Sequence, residues 1–160
     1  MKELNIQVHI DIYSYDELNE SDRALIDAAR EATLRSYAPY SHFSVGAAAR
    51  LSDGTIVEGS NQENAAYPSG TCAERTTLFY ANSRFPDQGV ETLAIAARNE
   101  RGEYLVTPIS PCGACRQVML ETETRAGKPM RILLYGTEGI YLIQGVSSLL
   151  PLTFGAESMQ

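Results

Sequence analysis

The chain has 160 residues, a formal net charge of −7 and an ordinary hydrophobic content, which predicts one domain over residues 1–160. It has no cluster of Lys and Arg to neutralise phosphates, which argues against a nucleic acid polymer as a partner and favours a small neutral substrate. It has no apolar run of membrane-spanning length and no signal peptide after Lys2, so we expect no membrane partner. Its three cysteines, an odd number, argue against disulfides, and we therefore expect a cytoplasmic location.

The first predicted elements are a strand and a helix. Residues 4–12 alternate between polar and apolar positions, as in a half-buried strand whose apolar face carries Leu4, Ile6, Val8, Ile10 and Ile12. His9 falls on the polar face, so we interpret it as solvent-facing rather than as a metal ligand. A helical period follows over about residues 21–37, with Asn19 or Ser21 as the cap. Its apolar side consists of Leu25, Ala28, Ala29, Ala32 and Leu34.

A β-hairpin is predicted next. Residues 42–51 alternate again, with an apolar face of Phe43, Val45, Ala47, Ala49 and Leu51. Residues 52–54 form a turn, and residues 55–58 form the return strand. The small residues at 46–49 predict that another element packs closely against this strand. His42 could be a fourth metal ligand or a loop residue, and we favour the loop residue because a fourth ligand would close the metal.

A polar, turn-rich stretch over residues 61–70 follows the hairpin. Loops after strands commonly carry binding groups. Asn61 and Glu63 are two positions apart, so on an extended segment they would point the same way and could bind paired hydroxyls. The alternative is an ordinary solvated loop, which we would favour without the neighbouring cysteine motifs.

The rest of the chain alternates between helices and strands. We predict a helix over residues 72–82, a strand over 89–98, a helix starting at Ser110-Pro111, strands over 131–135 and 140–144, and a short helix over 147–150. This order implies a mixed sheet that is covered by helices on both faces.

All three cysteines lie in two short motifs, Cys72-Ala73-Glu74-Arg75 and Pro111-Cys112-Gly113-Ala114-Cys115-Arg116. Three thiolates suit Zn²⁺, and the absence of a fourth cysteine predicts an open position of the kind that catalytic zinc keeps for water. Zinc lowers the pKa of its bound water to about 7, which provides a nucleophile at neutral pH. A redox Cys-x-x-Cys at Cys112 and Cys115 is the alternative, but it leaves Cys72 unexplained.

Glu74 has two interpretations. Thr71 and Glu74 have the spacing of a capping box, which would make Glu74 a solvent-facing cap residue. However, Glu74, Leu78 and Ala81 share one face of the predicted helix, and that face should be buried. Burial would raise the pKa of the carboxyl towards the range of a general acid. We therefore favour a catalytic role.

These motifs resemble those of the cytidine deaminases, specifically the small homotetrameric kind with three cysteines. The similarity covers about residues 20–155 and includes the segments 43–48, 61–67 and 149–154 beside both cysteine motifs. It implies an α/β fold, namely a three-layer α/β/α arrangement with a mixed central sheet of about five strands. The strand over residues 4–12 is extra to this core and would add an edge strand or cover a subunit contact.

The resemblance also implies an activity. This is the zinc-dependent hydrolytic deamination of cytidine or 2′-deoxycytidine to uridine or 2′-deoxyuridine with release of ammonia, a reaction of pyrimidine salvage catalysed by hydrolases that act on C–N bonds of cyclic amidines. A zinc-bound water would be the nucleophile, and Glu74 would carry the protons. One Zn²⁺ per subunit would be bound by Cys72, Cys112 and Cys115.

Other site residues are implied by position. The backbone of Ala73 would hold the pyrimidine, Phe43 would pack on the base, Asn61 and Glu63 would bind the ribose hydroxyls, and Phe154 would reach into a neighbouring subunit's pocket of a homotetramer. For Arg75 we predict that donation to the thiolates restores the Lewis acidity of the metal. Gln62 stands where the family more often has an apolar residue, and its side chain should point away from Asn61 and Glu63.

Three alternatives to this activity remain open at this stage. The first is deamination of another aminopyrimidine nucleoside or of an aminonucleoside antibiotic. The second is editing of a polynucleotide, against which the acidic composition counts. The third is a binding module that zinc only stabilises, which would have no need of an inward carboxylate at Glu74.

Overall fold

The computed structural model describes residues 1–160 and contains one six-stranded sheet with helices on both faces. The strands are β1 (Asp11–Tyr13), β2 (Ser44–Leu51), β3 (Ile56–Ser60), β4 (Val90–Arg98), β5 (Arg131–Gly136) and β6 (Gly139–Gln144). The helices are α1 (Glu20–Ala32), α2 (Ala73–Arg84) and α3 (Gly113–Ala126). None of these helices is both long and apolar enough to cross a lipid bilayer.

The sheet is mixed, with the strand order β1-β6-β5-β4-β2-β3. Strands β4 and β5 pair in parallel, and every other neighbouring pair is antiparallel. The parallel pair requires a crossover connection, which α3 provides. Helix α1 packs on one face, and α2 and α3 pack on the other. The predicted three-layer α/β/α fold, with about five core strands and an added N-terminal strand, is therefore confirmed.

Strand β2 is buried on both faces. Ala47 and Ala49 face α2, whereas Ala48 faces α1. A Cβ atom placed on Gly46 would lie 2.2 Å from the backbone oxygen of Ala29 in α1, so only glycine allows the helix to approach this closely. The prediction of close packing against these small residues is confirmed.

Helix α1 is shorter than predicted. Its start is capped as expected, because the Asn19 side chain accepts a hydrogen bond of 2.8 Å from the backbone N–H of Asp22. The helix ends at Ala32, and a 3₁₀ turn over Thr33–Arg35 follows. This tighter turn carries Leu34 off the buried side, so Leu34 is exposed and its predicted place on the apolar face is wrong.

The N-terminal strand is also shorter than the predicted range of 4–12. Only Asp11–Tyr13 pair with β6, at the edge of the sheet. Strand β6 continues for two residues beyond Leu142, to Gln144, and Gly145, with φ of +81°, then turns the chain away. Residues 1–10 pair with no strand of this chain and are exposed, so the prediction that residues 4–10 form a half-buried strand is wrong for the single chain. The added edge strand is confirmed, and its contact with another subunit remains a prediction.

Helix α1 is joined to the sheet by a buried ion cluster that the sequence did not reveal. Arg131 of β5 donates two hydrogen bonds to the Asp22 carboxylate, at 2.6 and 2.9 Å, and Arg50 of β2 donates one at 3.2 Å. Burial opposes the ionisation of Asp22, but the two guanidinium groups outweigh it and lower the pKa of the carboxyl. The cluster thus stabilises the contact between α1 and two strands.

Candidate active site

The N-termini of α2 and α3 meet and bring the three cysteines together. Cys72 is the N-cap residue of α2, Cys112 is the N-cap residue of α3, and Cys115 lies in the first turn of α3. Both cap residues have extended backbone angles and lie outside the helices. Helix α2 therefore begins at Ala73 and not at Cys72, and helix α3 begins at Gly113 and not at Pro111. The positive ends of both helix dipoles therefore point at the sulfur atoms, which favours thiolates.

The sulfur atoms have the spacing of a metal site. The Sγ atoms of Cys72 and Cys112 are 3.9 Å apart, and all three Sγ atoms lie within 4.8 Å of one another. Tetrahedral zinc with thiolate ligands at 2.3 Å separates its sulfur atoms by about 3.8 Å, so the site fits Zn²⁺. His42 is not part of this group, and its exposed position with φ of +56° matches its interpretation as a loop residue.

The charges around the cysteines favour a bound cation. Hydrogen bonding from the Cys115 thiol, with further help from Arg75, lowers the pKa of Cys72 to about 5. The same pairing, together with burial, raises the pKa of Cys115. The neighbouring thiols and Arg75 thus favour the thiolate form of Cys72, which is the form that binds a metal. Arg75 Nη2 lies 3.4 Å from Cys72 Sγ, and this contact raises the pKa of Arg75.

Glu74 occupies the second position of α2, beside the cysteines, and only 4% of it is exposed. Because the N-cap residue is Cys72 and not Thr71, the capping-box interpretation of Glu74 is wrong. Burial is the main cause that raises the pKa of the carboxyl, and it outweighs the attraction of Arg75. A carboxyl of this kind at a cavity has the properties of a general acid and base.

A cavity of about 620 Å³ opens beside the cysteines and Glu74. It is large enough for a small organic substrate. Of the residues predicted to bind substrate, those that line the cavity are Phe43, Asn61, Glu63 and Ala73, and Cys72, Glu74, Arg75 and Cys112 line it as well. Cys115 lies behind them and is fully buried.

Asn61 is held by hydrogen bonds to its own chain. Its Oδ1 atom accepts from the backbone N–H of Val45 at 2.8 Å and from the Ser36 hydroxyl at 2.6 Å. Its Nδ2 atom donates to the backbone oxygen of Phe43 at 2.9 Å. Asn61 therefore fixes the backbone on both sides of Ser44, and with it the Phe43 ring. One N–H of its amide has no partner within the chain.

Glu63 is held through one carboxylate oxygen. Its Oε2 atom accepts from the backbone N–H groups of Tyr40, at 2.8 Å, and Ser41, at 3.2 Å. Hydrogen bonding by the Ser41 hydroxyl is the main cause that lowers the pKa of Glu63. The second oxygen makes no bond within the protein, so Glu63 can accept a hydrogen bond from a ligand. Gln62 donates elsewhere, to the backbone oxygen of Arg35 and to the Ser60 hydroxyl.

Two residues that hold parts of the site in place were not predicted from the sequence. Ser36 orients Asn61, as described above. Arg116 ties down the loop that carries Cys112: it donates to the backbone oxygens of Pro111 and Leu149, each at 2.8 Å, and to the Ser110 hydroxyl at 3.0 Å. The position of Arg116 directly after Cys115 was a usable signal, whereas Ser36 is 25 positions away from Asn61 and gave none.

Phe154 does not line the cavity of its own chain. It lies in the C-terminal segment, where the Gln117 side chain donates to its backbone oxygen at 2.9 Å, and its ring is largely exposed. The role predicted for it, in the pocket of a neighbouring subunit, stays a prediction.

The family model described as "Cytidine and deoxycytidylate deaminase zinc-binding region" matches residues 19–127. The chain belongs to this family. A cytidine deaminase of Halalkalibacterium halodurans is 42% identical over 135 residues, which cover 84% of this chain and 95% of that protein. The predicted family and its zinc-binding character are confirmed.

Solved structures of cytidine deaminases are similar as well. That of the Burkholderia pseudomallei protein has a TM-score of 0.69 and 38% identity, with 82% of this chain and 97% of that chain covered. That of the Mycobacterium tuberculosis protein has a TM-score of 0.67 and 32% identity, with 86% and 99% covered. The three-layer fold is thus the fold of this family.

Proposed function

We propose that this protein catalyses the hydrolytic deamination of cytidine and 2′-deoxycytidine, giving uridine and 2′-deoxyuridine with release of ammonia. The observation that carries the proposal is the buried Glu74 carboxyl, which lines the cavity beside three clustered cysteine sulfurs. A purely structural zinc site has four closed ligands and needs no such carboxyl. Membership of the deaminase family supports the same reaction.

The cysteines have a single task in this reaction. Cys72, Cys112 and Cys115 would hold one Zn²⁺ per subunit, and the cavity lies on the side of Cys72 and Cys112. Bound zinc supplies the Lewis acidity that makes water nucleophilic near neutral pH. Arg75, 3.4 Å from Cys72 Sγ, offsets part of the thiolate charge.

Glu74 moves the protons. It accepts a proton from the attacking water and gives it to N3 of the pyrimidine as the new C4–O bond forms. It then transfers the proton of the new hydroxyl to the exocyclic amine, the C4–N bond breaks, and ammonia leaves. Burial raises the pKa of Glu74, which brings it closer to the pH at which a group both accepts and donates protons efficiently.

The cavity walls supply the contacts to base and sugar. The backbone of Ala73 holds the pyrimidine edge, and the Phe43 ring packs on its face. The free N–H of Asn61 and the free carboxylate oxygen of Glu63 bind the ribose hydroxyls. This assignment is supported by the hydrogen bonds that hold each side chain from behind and leave one polar group unused.

The assembly and location are part of the same proposal. A homotetramer would bring Phe154 into the cavity of a neighbouring subunit, and the exposure of its ring supports this role. A reducing cytoplasm would keep the three cysteines available as metal ligands.

The decisive experiment is an ultraviolet assay of zinc-loaded protein with cytidine, 2′-deoxycytidine and a cytosine-containing oligonucleotide. We expect absorbance to fall with both nucleosides and not with the oligonucleotide, and the Glu74→Gln variant to be inactive while it retains zinc. Turnover of neither nucleoside by protein that holds one zinc per chain would contradict the proposal.

A further inference from the structure

Residues 1–10, here called the N-terminal arm, have no partner in the single chain. No backbone hydrogen bond joins them to the rest of the protein. Their one side-chain bond is local, between His9 and Asp11. The arm lies outside residues 19–127, which match the deaminase family. Its role is therefore not explained by the reaction.

The arm nevertheless has the pattern of a paired strand. Its even-numbered positions from Leu4 onwards are apolar and exposed, with exposed fractions of 78% at Leu4, 48% at Ile6, 47% at Val8, 39% at Ile10 and, in β1, 64% at Ile12. Alternation of this kind is typical of a strand with one covered face. The arm also continues directly into β1, which is the last strand of the sheet and has a free edge. Free edges are templates for pairing with another chain.

We infer that the arm pairs with the arm of a second copy of this chain. The two arms run antiparallel, with Val8 opposite Val8 of the partner subunit, and they join the β1 edges of two sheets across a two-fold axis. A contact of this kind is isologous, so each chain offers the same surface. The inference goes beyond the proposed reaction and concerns how copies of the enzyme associate.

The sequence selects this register. With Val8 at the centre, Leu4 faces Ile12 of the partner subunit, and Ile6 faces Ile10 of the partner subunit. All the apolar side chains then lie on one face. On the other face the pairs are Asn5 with Asp11 and Gln7 with His9, and none joins two like charges.

Other registers are worse. A slip by one residue in either direction places Ile6, Val8, Ile10 and Ile12 opposite polar side chains. Centring the pair on Gln7 keeps the apolar face but places Glu3 opposite Asp11 of the partner subunit, so that two negative charges meet at each end. Centring it on His9 places the two histidines opposite each other and leaves Leu4 opposite Ser14 of the partner subunit. Self-complementarity in a single register is the reason to choose a second copy as the partner.

The test is a disulfide scan of the arm in full-length, zinc-loaded protein. Directly opposed residues of antiparallel strands have Cα atoms about 4.5–5.5 Å apart, which is within reach of a disulfide. We expect Val8→Cys to give a covalent dimer under mild oxidation. Ile6→Cys is the matched control, because Ile6 would lie about 13 Å from Ile6 of the partner subunit, four positions along the strand. A mixture of Ile6→Cys and Ile10→Cys proteins should cross-link again.

Several outcomes would overturn the inference. Unmodified protein under the same oxidation shows whether the zinc-site cysteines contribute, and it should give no covalent dimer. Equal cross-linking of Val8→Cys and Ile6→Cys would mean that the arms meet without a register. Absence of cross-linking in folded Val8→Cys protein would refute the pairing. If deletion of residues 2–9 then still lowered the mass of the assembly, the arm would dock elsewhere, such as on β3 of a neighbouring subunit.

The deletion also separates this inference from the proposed reaction. If the arms pair, removal of residues 2–9 takes away one contact between copies and should weaken the assembly, which sedimentation over a range of protein concentrations measures. Strand β1 lies at the opposite end of the sheet from β2 and β3, which lead into the cavity-lining residues, so the deletion should leave deaminase activity per zinc unchanged. An unchanged assembly together with absence of cross-linking in Val8→Cys protein would refute the inference, whatever the activity of the protein.

Discussion

Two carboxylates are buried on opposite faces of the same sheet, and their pKa values shift in opposite directions. Asp22, on α1, is 2% exposed and its pKa is lowered, whereas Glu74, on α2, is 4% exposed and its pKa is raised. Burial penalises the charged form of both groups. The difference must therefore come from their partners.

The two carboxylates differ in the number of guanidinium groups near them and in whether those groups also bind something else. Asp22 receives hydrogen bonds from Arg50 and Arg131, which are available because no other carboxylate binds them. The attraction of Arg75 lowers the pKa of Glu74, but the Arg75 guanidinium donates its hydrogen bond to Cys72 Sγ. Asp22, held by two guanidinium groups, joins elements together, whereas Glu74, which lies at a cavity and has no guanidinium hydrogen-bonded to it, is available for proton transfer.

Replacement of Glu74 tests one side of this comparison and should have the largest effect. We expect Glu74→Gln to lower kcat by roughly 100-fold to 10,000-fold, because the carrier of the protons is lost. The free energy of unfolding should stay the same or rise, since an amide needs no compensation for buried charge. Steady-state kinetics with cytidine and thermal melting of the zinc-loaded protein measure both quantities. A large loss of stability or of zinc would show instead that the carboxyl is structural.

Replacement of Asp22 should give the opposite result. Asp22→Asn removes the charge between Arg50 and Arg131 and should lower the free energy of unfolding by about 3 kcal/mol, the lower end for a broken buried pair because Arg131 is partly exposed. Turnover by the folded protein should not change. The matched control is Asp27→Asn on the same helix, where the exposed carboxylate pairs with Arg30 and accepts a hydrogen bond from the Tyr15 hydroxyl, and where the ion pair is worth at most about 1 kcal/mol. Equal effects of the two variants in denaturant titrations would contradict the assigned role.

The pH dependence of stability sharpens the same prediction. The folded state lowers the pKa of Asp22 below its ordinary value of 3.8, so its contribution is fully present above that pH and is lost as the pH falls through the lower folded value. The stability difference between the wild type and Asp22→Asn should therefore shrink on acidification. A difference that stays constant down to acid pH would mean that Asp22 does not titrate in this way.

The metal site was predictable from the sequence because its determinants are local. The two motifs specify the ligands, and the first turn of α3 brings Cys115 back beside Cys112. The bonds that position the substrate-binding side chains could not be predicted in this way. Asn61 depends on Ser36 and on the backbone of β2, which only the folded sheet brings near.

The fold shows the same division between local and distant determinants. Alternation and turn residues predicted the helices and the core strands, because each pattern is contained in one segment. The partner of Asp22 lies 109 positions away, at Arg131, and no local pattern indicates such a pair. The prediction for the arm failed for a related reason, because alternation predicts a strand but cannot show whether a neighbouring strand exists.

Replacement of Arg75 should have the smallest effect, and it separates binding of the metal from adjustment of the metal's Lewis acidity. Arg75→Ala removes the donor to Cys72 Sγ while all three cysteines remain. We expect zinc to stay bound and kcat to fall by about 10-fold to 100-fold, the usual range for a group that supports metal ligands. Metal analysis and steady-state kinetics on the same sample give both values.

The control for this variant lies on the same helix. Arg84→Ala removes an equal charge from the other end of α2, where the side chain is exposed and far from the sulfur atoms in sequence. It should leave kcat unchanged, so any general effect of net charge is subtracted. If Arg75→Ala also retained full turnover, the contact of the arginine with Cys72 Sγ would have no role in the reaction. The contrast between Glu74 and Asp22 would then need a cause other than the competing pull of the cysteine sulfurs on Arg75.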